Sequence, residues 1–474
     1  MGRAHNKHQT LNVHYFLKVL VLYGLLFSLL FFHVLLIMGE KENLVEAREL
    51  VNLTDSAMNS SDSNTVEQLD RRLIELKLNS ENIENRNRKS KNDTSQNLTQ
   101  VINAIENLKI TEFNNYFHKN FLSLKFDKTR IDLVDGSQAT ALVYSVILKD
   151  RTAIVLNLPH KKKKWTWIDI NYQNLRKEIN EFQIGLERRS DIIYDPKQAQ
   201  KLYDWIIRPF ANDLESFHIK TLVFIQDEIL RGVPMAALHD GKKFLIQKYA
   251  IATTPGLSLT NTQKVNRKNL RALAVGLTKD ATVDGRIYKA LTNIQHEIYQ
   301  VVVQIPGSKL LLDEDFTPLR LHAELRKKSY PIIHIATHGE FGIVPEETFL
   351  VTGNNQKLTI IDLGTLIQDV SHGANLVELL ALTACETAIG DKNAIFGLAG
   401  VAVKAGVKSA LASLWSVNDA ATETLVTKFY KEWSQAGISK AEALQKAQQA
   451  MIATGKVYAH PYYWAPFILI GNWL

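Results

Sequence analysis

The only cysteine in this chain of 474 residues, Cys385, follows an apolar run, Leu376-Val-Glu-Leu-Leu-Ala-Leu-Thr-Ala-Cys385-Glu386. A second apolar run, Pro331-Ile-Ile-His-Ile-Ala-Thr-His338-Gly339, closes on a histidine and a glycine. One thiol excludes an intramolecular disulfide and any zinc site built from several cysteines. A free thiol, with a pKa of about 8.5, is only a few per cent ionised at neutral pH, and the thiolate is the nucleophile. An imidazole within reach corrects this by taking the thiol proton and later giving a proton to a leaving amine. Gly339 lets other backbone come close, and the amides of Gly339 and Cys385 are the expected hole for the oxyanion of an attacked carbonyl. No acid is obviously placed to orient His338, so the expected unit is a His338/Cys385 dyad. The plainer alternative is that a lone cysteine fills the core, since free cysteine is among the most buried residue types. The matching His-Gly at the end of the other run argues against it.

Such a dyad needs a scaffold that brings two strand ends together. Short, nearly all-apolar runs recur at Thr221–Ile225, Ala272–Gly276, Ile332–Ala336, Leu376–Leu382 and Ser409–Leu414, separated by helical patterns. Strands buried on both faces have this composition, so an α/β/α sandwich with a mostly parallel central sheet is expected. Ligands of such sheets sit beyond the carboxyl ends of the strands. The 47 residues from His338 to Cys385 leave room for a loop, a helix and one strand, enough to set the two strands side by side.

Composition bounds the rest. Hydrophobic residues at 46% and charged residues at 22% exclude a disordered or multi-span membrane chain. The 56 basic and 49 acidic residues leave +7, too mild and too scattered for a nucleic-acid partner. The one dense basic run, Lys161 to Lys164, falls between two strand patterns and reads as a solvated hairpin turn. Val19 to Met38 holds no Asp, Glu, Lys or Arg, the length of one bilayer crossing. Arg3, Lys7 and Lys18 precede it, which puts the N-terminus in the cytoplasm and the catalytic body on the outer, periplasmic side. The expected order is a basic tail over 1–18, a transmembrane helix over 19–38, a polar stalk over 39–97 and the body over 98–474.

Several segments together resemble a known family. IATHGEF, LLALTACETAIG, ALASLWSVNDAAT, AEALQKAQQAM and HPYYWAPFILIGNW follow the order and spacing of CHAT domains, the bacterial caspase-like domains often found beside helical repeats. LVFIQDEILRGVPMAALHDGKKFLIQKYA resembles the opening strand and hairpin of the same domain, and VINAIENLKITEFNNYF resembles the helix that leads into it, so the resemblance covers about residue 98 to the C-terminus. It implies a caspase-like sandwich and peptide-bond hydrolysis by His338 and Cys385. The His-to-Cys separation is also close to that of caspases. The caspase-like fold builds its substrate pocket after the strand at 409–414, which makes Asp419 a pocket candidate favouring a basic side chain; Glu386 and Asp227 are weaker candidates. Asp419 also reads as the N-cap of a helix starting at Ala420. His334 reads as a satisfied core histidine, because a zinc-peptidase helix needs a glutamate base that His-Ile-Ala-Thr-His lacks. No metal or cofactor is expected. The expected partners are a protein or peptide substrate, an activating protein and the membrane. The competing reading is a catalytically silent scaffold that uses the same fold to bind a partner.

Overall fold

The computed structural model describes residues 63–87, 92–116, 139–188, 193–263, 270–340, 345–371, 376–383, 405–455 and 457–474. The apolar run at 19–38 lies outside them. Among the described residues no helix is long and apolar enough to cross a membrane, so the expected single-pass protein with its body on the outer side is corrected. The two longest described helices show why. α1 (Ser63–Asn87) and α2 (Asn92–Tyr116) have 25 residues each, but charged and amide side chains recur along both, and each charge at a bilayer centre costs a few kcal/mol or more.

The chain divides into two units, Met1–Leu73 and Ile74–Leu474. Residues 63–73 of the first are helical, with Glu67 and Arg71 paired one turn apart at 3.0 Å. In the second, Ile74 and Leu78 of α1 and Val101, Ile105 and Leu108 of α2 are buried in the same apolar cluster as the sheet.

Sixteen strands are described: β1 (Thr140–Ile147), β2 (Thr152–Asn157), β3 (Lys163–Ile168), β4 (Thr221–Ile225), β5 (Ala250–Thr253), β6 (Ala272–Gly276), β7 (Ala281–Val283), β8 (Arg286–Tyr288), β9 (Lys309–Leu312), β10 (Ile332–Ala336), β11 (Gly339–Glu340), β12 (Phe349–Thr352), β13 (Gln356–Thr359), β14 (Leu379–Leu382), β15 (Ser409–Ser413) and β16 (Phe467–Gly471). Eleven form one sheet in the order β3-β2-β1-β4-β5-β16-β15-β14-β10-β6-β9. The Lys161–Lys164 run falls at the turn between β2 and β3, with His160 and Lys161 in the left-handed region and Lys163 and Lys164 opening β3.

Strand direction decides what can meet. β15, β14, β10, β6 and β9 run parallel to one another. β16 is antiparallel to β15, and β5, β4 and β1 run parallel to β16. The sheet therefore reverses polarity between β15 and β16, and again on either side of β2, which is antiparallel to both β1 and β3. The carboxyl ends of β6, β10, β14 and β15 lie along one edge, and those of β1, β4 and β5 lie along the opposite edge.

Side chains alternate faces along each strand. On β10, Ile332, His334 and Ala336 face α3 (Ile294–Gln304) and α4 (Asp419–Trp433), whereas Ile333 and Ile335 join the cluster under helices Pro318–Lys327 and Ile360–Val370. The apolar runs are short and continuous because helices cover both faces.

α3 approaches the sheet closely at Gly276. A Cβ there would lie 2.2 Å from Ile298 Cδ1, 2.8 Å from Ile294 Cγ2 and 2.9 Å from the Ala336 carbonyl. Gly276→Ala is expected to push α3 off the strand ends and to cost about 1–3 kcal/mol, read as a lower urea midpoint.

Candidate active site

The exit of β10 is held by two bonds to one residue of β12. Thr337 Oγ1 donates to the Val351 carbonyl at 2.6 Å, and the Val351 N–H donates to the His338 carbonyl at 2.9 Å. The chain is thereby turned off the main sheet into the small sheet β11-β12-β13. Gly339 sits opposite Leu350, and the Val351 to His338 bond makes that a non-hydrogen-bonded pair, so the Gly339 amide faces away from β12.

The His338 side chain is half-buried at the edge that collects the carboxyl ends of β6, β10, β14 and β15. Its Nε2 lies 2.7 Å from the Lys289 carbonyl, and its ring packs against Tyr288 at 5.5 Å. A carbonyl only accepts, so Nε2 carries the proton of the bond and Nδ1 is left as the basic nitrogen of the neutral ring. The group that orients His338, for which the sequence offered no acid, is thus a backbone carbonyl, which no side-chain motif can reveal. Beside it, Glu340 accepts from Arg286 and from Tyr288 Oη, tying the β7/β8 hairpin to β11.

On the neighbouring strand, the Thr383 N–H donates to the Ile335 carbonyl at 3.1 Å, so the parallel ladder between β14 and β10 runs to the last described residue of that segment. Cys385 and Glu386 lie outside the described residues.

Asp419 lies at the same edge, as the first residue of α4. Asn418, not Asp419, is the N-cap, its side chain accepting from the amides of Ala420 at 3.1 Å and Ala421 at 3.3 Å. The Asp419 carboxylate is left free of capping and accepts from the amides of Thr292 and Asn293. Burial raises its pKa above the usual carboxylate range and the Glu297 charge adds to this, while those two amides and His338 pull it down. The two partners His338 and Asp419 are thus brought into electrostatic reach of each other.

Beneath them lies a polar group that the sequence reading missed. Glu297 is only 2% exposed, in the stripe where α3 buries Ile294, Ile298 and Val301. Its Oε1 accepts from Thr383 Oγ1 and lies 3.0 Å from His334 Nε2, and His334 Nδ1 lies 3.3 Å from Tyr430 Oη of α4. Burial, and then the Glu297 charge, push the Tyr430 phenol far up, so it stays protonated and donates. His334 is therefore a buried, satisfied histidine, as expected. The available signal was Glu297 itself, a carboxylate at an apolar position of a helix.

Asp227 is a correction. It follows β4, so the polarity reversal puts it at the opposite edge from His338. It is fully buried, 2.5 Å from Lys109 Nζ of α2, and accepts from the Ile147 amide at 2.7 Å. That closes it to a substrate side chain.

The CHAT domain model matches residues 196–472. Human tetratricopeptide repeat protein 28 is 22% identical over 337 residues, covering 60% of this chain and 13% of its own length. The mouse protein of the same name is 23% identical over 340 residues, covering 61% of this chain and 14% of its own length. This chain therefore spans a small part of the curated relatives it matches. Among solved structures, separase in the Saccharomyces cerevisiae separase-securin complex superposes with a TM-score of 0.51 at 10% identity, covering 91% of this chain and 38% of that one. That likeness is one of fold.

The opposite edges separate two kinds of substitution. Asp227→Ala removes one of the two carboxylates around buried Lys109, leaving Glu112 at 3.1 Å, and is expected to cost about 1.5–3 kcal/mol of stability in urea unfolding. In the protein that remains folded, alkylation of Cys385 should proceed at the wild-type rate.

Proposed function

Because the chain belongs to the CHAT domain family, we propose that it is a cysteine peptidase that hydrolyses peptide bonds with His338 and Cys385. The observation that carries the reading is the register of the two strands. Ile332 pairs with Leu379 and Ile335 with Leu382, an offset of 47 residues, the same as the separation of His338 from Cys385. His338 follows Ile335 by three residues and Cys385 follows Leu382 by three, so the two come at matched distances along the chain from paired positions of neighbouring parallel strands. His334 within β10 and Thr383 just after β14 both reach Glu297.

In this reading His338, steadied at Nε2 by the Lys289 carbonyl, takes the Cys385 proton at Nδ1. The thiolate attacks the scissile carbonyl carbon, and the Gly339 and Cys385 amides stabilise the oxyanion that forms. The imidazolium then protonates the leaving amine. Water, deprotonated by the same imidazole, hydrolyses the thioester and frees the thiol. Asp419 supports a preference for a basic side chain before the cut, because its half-buried carboxylate stands at this edge beside His338. Glu386, the residue after the nucleophile, is kept as a second candidate for that pocket. A protein partner that activates the site belongs to the same proposal; it accords with a chain that spans 13% of the length of its human relative.

The test uses a cysteine-directed electrophile and a peptide library. With one cysteine in the chain, all thiol labelling reports Cys385. Labelling of the wild type well above the rate of a free thiol supports the reading; Cys385→Ala should abolish cleavage, and His338→Ala should lower it by about a hundredfold or more. A wild-type thiol no faster than a free one, with candidate activators present, would mean the silent scaffold instead. Asp419→Asn should lower cleavage after Arg and Lys about ten- to a hundredfold, the value of a hydrogen bond to a charged group. Equal cleavage after Arg and Asp would remove its role. Since the Asp419 pKa is raised, cleavage after basic residues should fall, on acidification, at a pH above the usual carboxylate range of about 4. Asp419→Asn should lack that limb.

A further inference from the structure

One segment of nine residues touches the chain beyond three strands of the main sheet. The Lys289 carbonyl holds His338 after β10, the Thr292 and Asn293 amides hold Asp419 after β15, and Glu297, one turn into α3, holds Thr383 after β14. Glu297 also reaches back to His334 inside β10 at 3.0 Å. Its carboxylate is thus the point where the two strands that lead to His338 and Cys385 are joined by side chains.

The chemistry of that point is costly. A buried carboxylate loses several kcal/mol of hydration that only well-made hydrogen bonds recover, and the neighbouring stripe positions of α3 carry Ile294, Ile298 and Val301. An aliphatic residue would fill the same space against a Val or Leu on the strands. What an aliphatic residue cannot do is distinguish one register from the next. The donors run in one direction, from Tyr430 Oη to His334 Nδ1 and from His334 Nε2 to Glu297, while Thr383 Oγ1 meets the same carboxylate oxygen from the other strand. Sliding β14 against β10 by one residue would remove Thr383 and leave the carboxylate short of a donor.

We propose that Glu297 is the positioning residue of the site: through His334 and Thr383 it fixes the register of the two strands from which the chain runs on to His338 and to Cys385. The inference rests on the peptidase reading, and goes beyond it in assigning the element that assembles the pair. Glu297 touches no reacting atom. Its effect reaches Cys385 through Thr383, two residues before it.

The experiment measures alkylation of Cys385 in the full chain by iodoacetamide across pH, for wild type, Thr383→Val, Thr383→Ser, Glu297→Met and His338→Ala, at a temperature where circular dichroism shows each folded. Thr383→Val keeps the shape and removes the hydroxyl. It is expected to slow alkylation at neutral pH about tenfold, by misplacing the thiol, and to move the midpoint of the pH profile up towards the free-thiol value of about 8.5. Thr383→Ser keeps the hydroxyl and should restore the rate to within about twofold of wild type, whereas Glu297→Met, which keeps the length and removes the acceptor, should behave as Thr383→Val does. A merely structural role would lower the unfolding temperature of Thr383→Val and leave rate and midpoint alone. If His338→Ala is slow while Thr383→Val and Glu297→Met match wild type, the positioning role is wrong and the dyad stands. If His338→Ala matches wild type, the dyad itself is wrong, and the positioning role falls with it.

Discussion

The parallel pairing of β10 with β14 is the constraint on which the rest depends. Its rungs run from Ile332 opposite Leu379 to Ile335 opposite Leu382, and the Thr383 amide adds one more. Both strands are buried on both faces, so a slip of one residue would exchange the sides on which every side chain packs. His334 would then turn away from Glu297 towards the helices Pro318–Lys327 and Ile360–Val370, whose inward residues are Leu321, Leu325, Leu363 and Ile367. Apolar packing selects the fold class, and the few buried hydrogen bonds select the register.

The second determinant is the reversal of strand polarity between β15 and β16, which gives the sheet two unlike edges. One gathers His338, Thr383 and Asp419 beyond the carboxyl ends of parallel strands, the place where open α/β sheets hold their ligands. The other edge has parallel strands of its own, β1, β4 and β5, and α2 closes it. Lys109 reaches Asp227 after β4, and Glu106 accepts from the amides of Leu257 and Ser258 after β5, each at 3.0 Å. Both edges therefore use a buried glutamate or aspartate as a clasp. At one the clasp comes from α2 and seals the crevice. At the other it comes from α3 and lies beneath the ends, leaving His338 half-buried above it.

Much of this was legible beforehand. Thr221–Ile225, Ala272–Gly276 and Ile332–Ala336 are strands over the spans their apolar runs suggest, because short runs that are nearly all apolar are satisfied between two layers of helices. The residues of HPYYWAPFILIGNW, quoted for the family resemblance, are packing residues: Trp464 is fully buried, and Trp415 donates to the Tyr462 carbonyl at 3.1 Å across from them. Asp419 was visible as an acid after the right strand, although Asn418 took the capping role assigned to it. The length and charge pattern of 19–38 suggested an anchor, but nothing among the described residues bears a membrane span.

What the amino-acid order determined by itself was local: which runs become buried strands, and that the runs of interest end in His-Gly and in Cys, since side-chain polarity and period act over a few residues. What only the tertiary structure decided was which ends meet. Asp227 and Asp419 look alike in sequence, each an acid beyond an apolar strand, yet β4 and β15 run in opposite directions and carry them to opposite edges. The Lys289 carbonyl is invisible in any side-chain pattern, and Glu297 reads as one charge in a helix until its donors arrive from β10, 37 residues on, and from beyond β14, 86 residues on. Strand direction, backbone acceptors and long-range hydrogen bonds depend on how the chain crosses back over itself, and no window of a few residues contains that information.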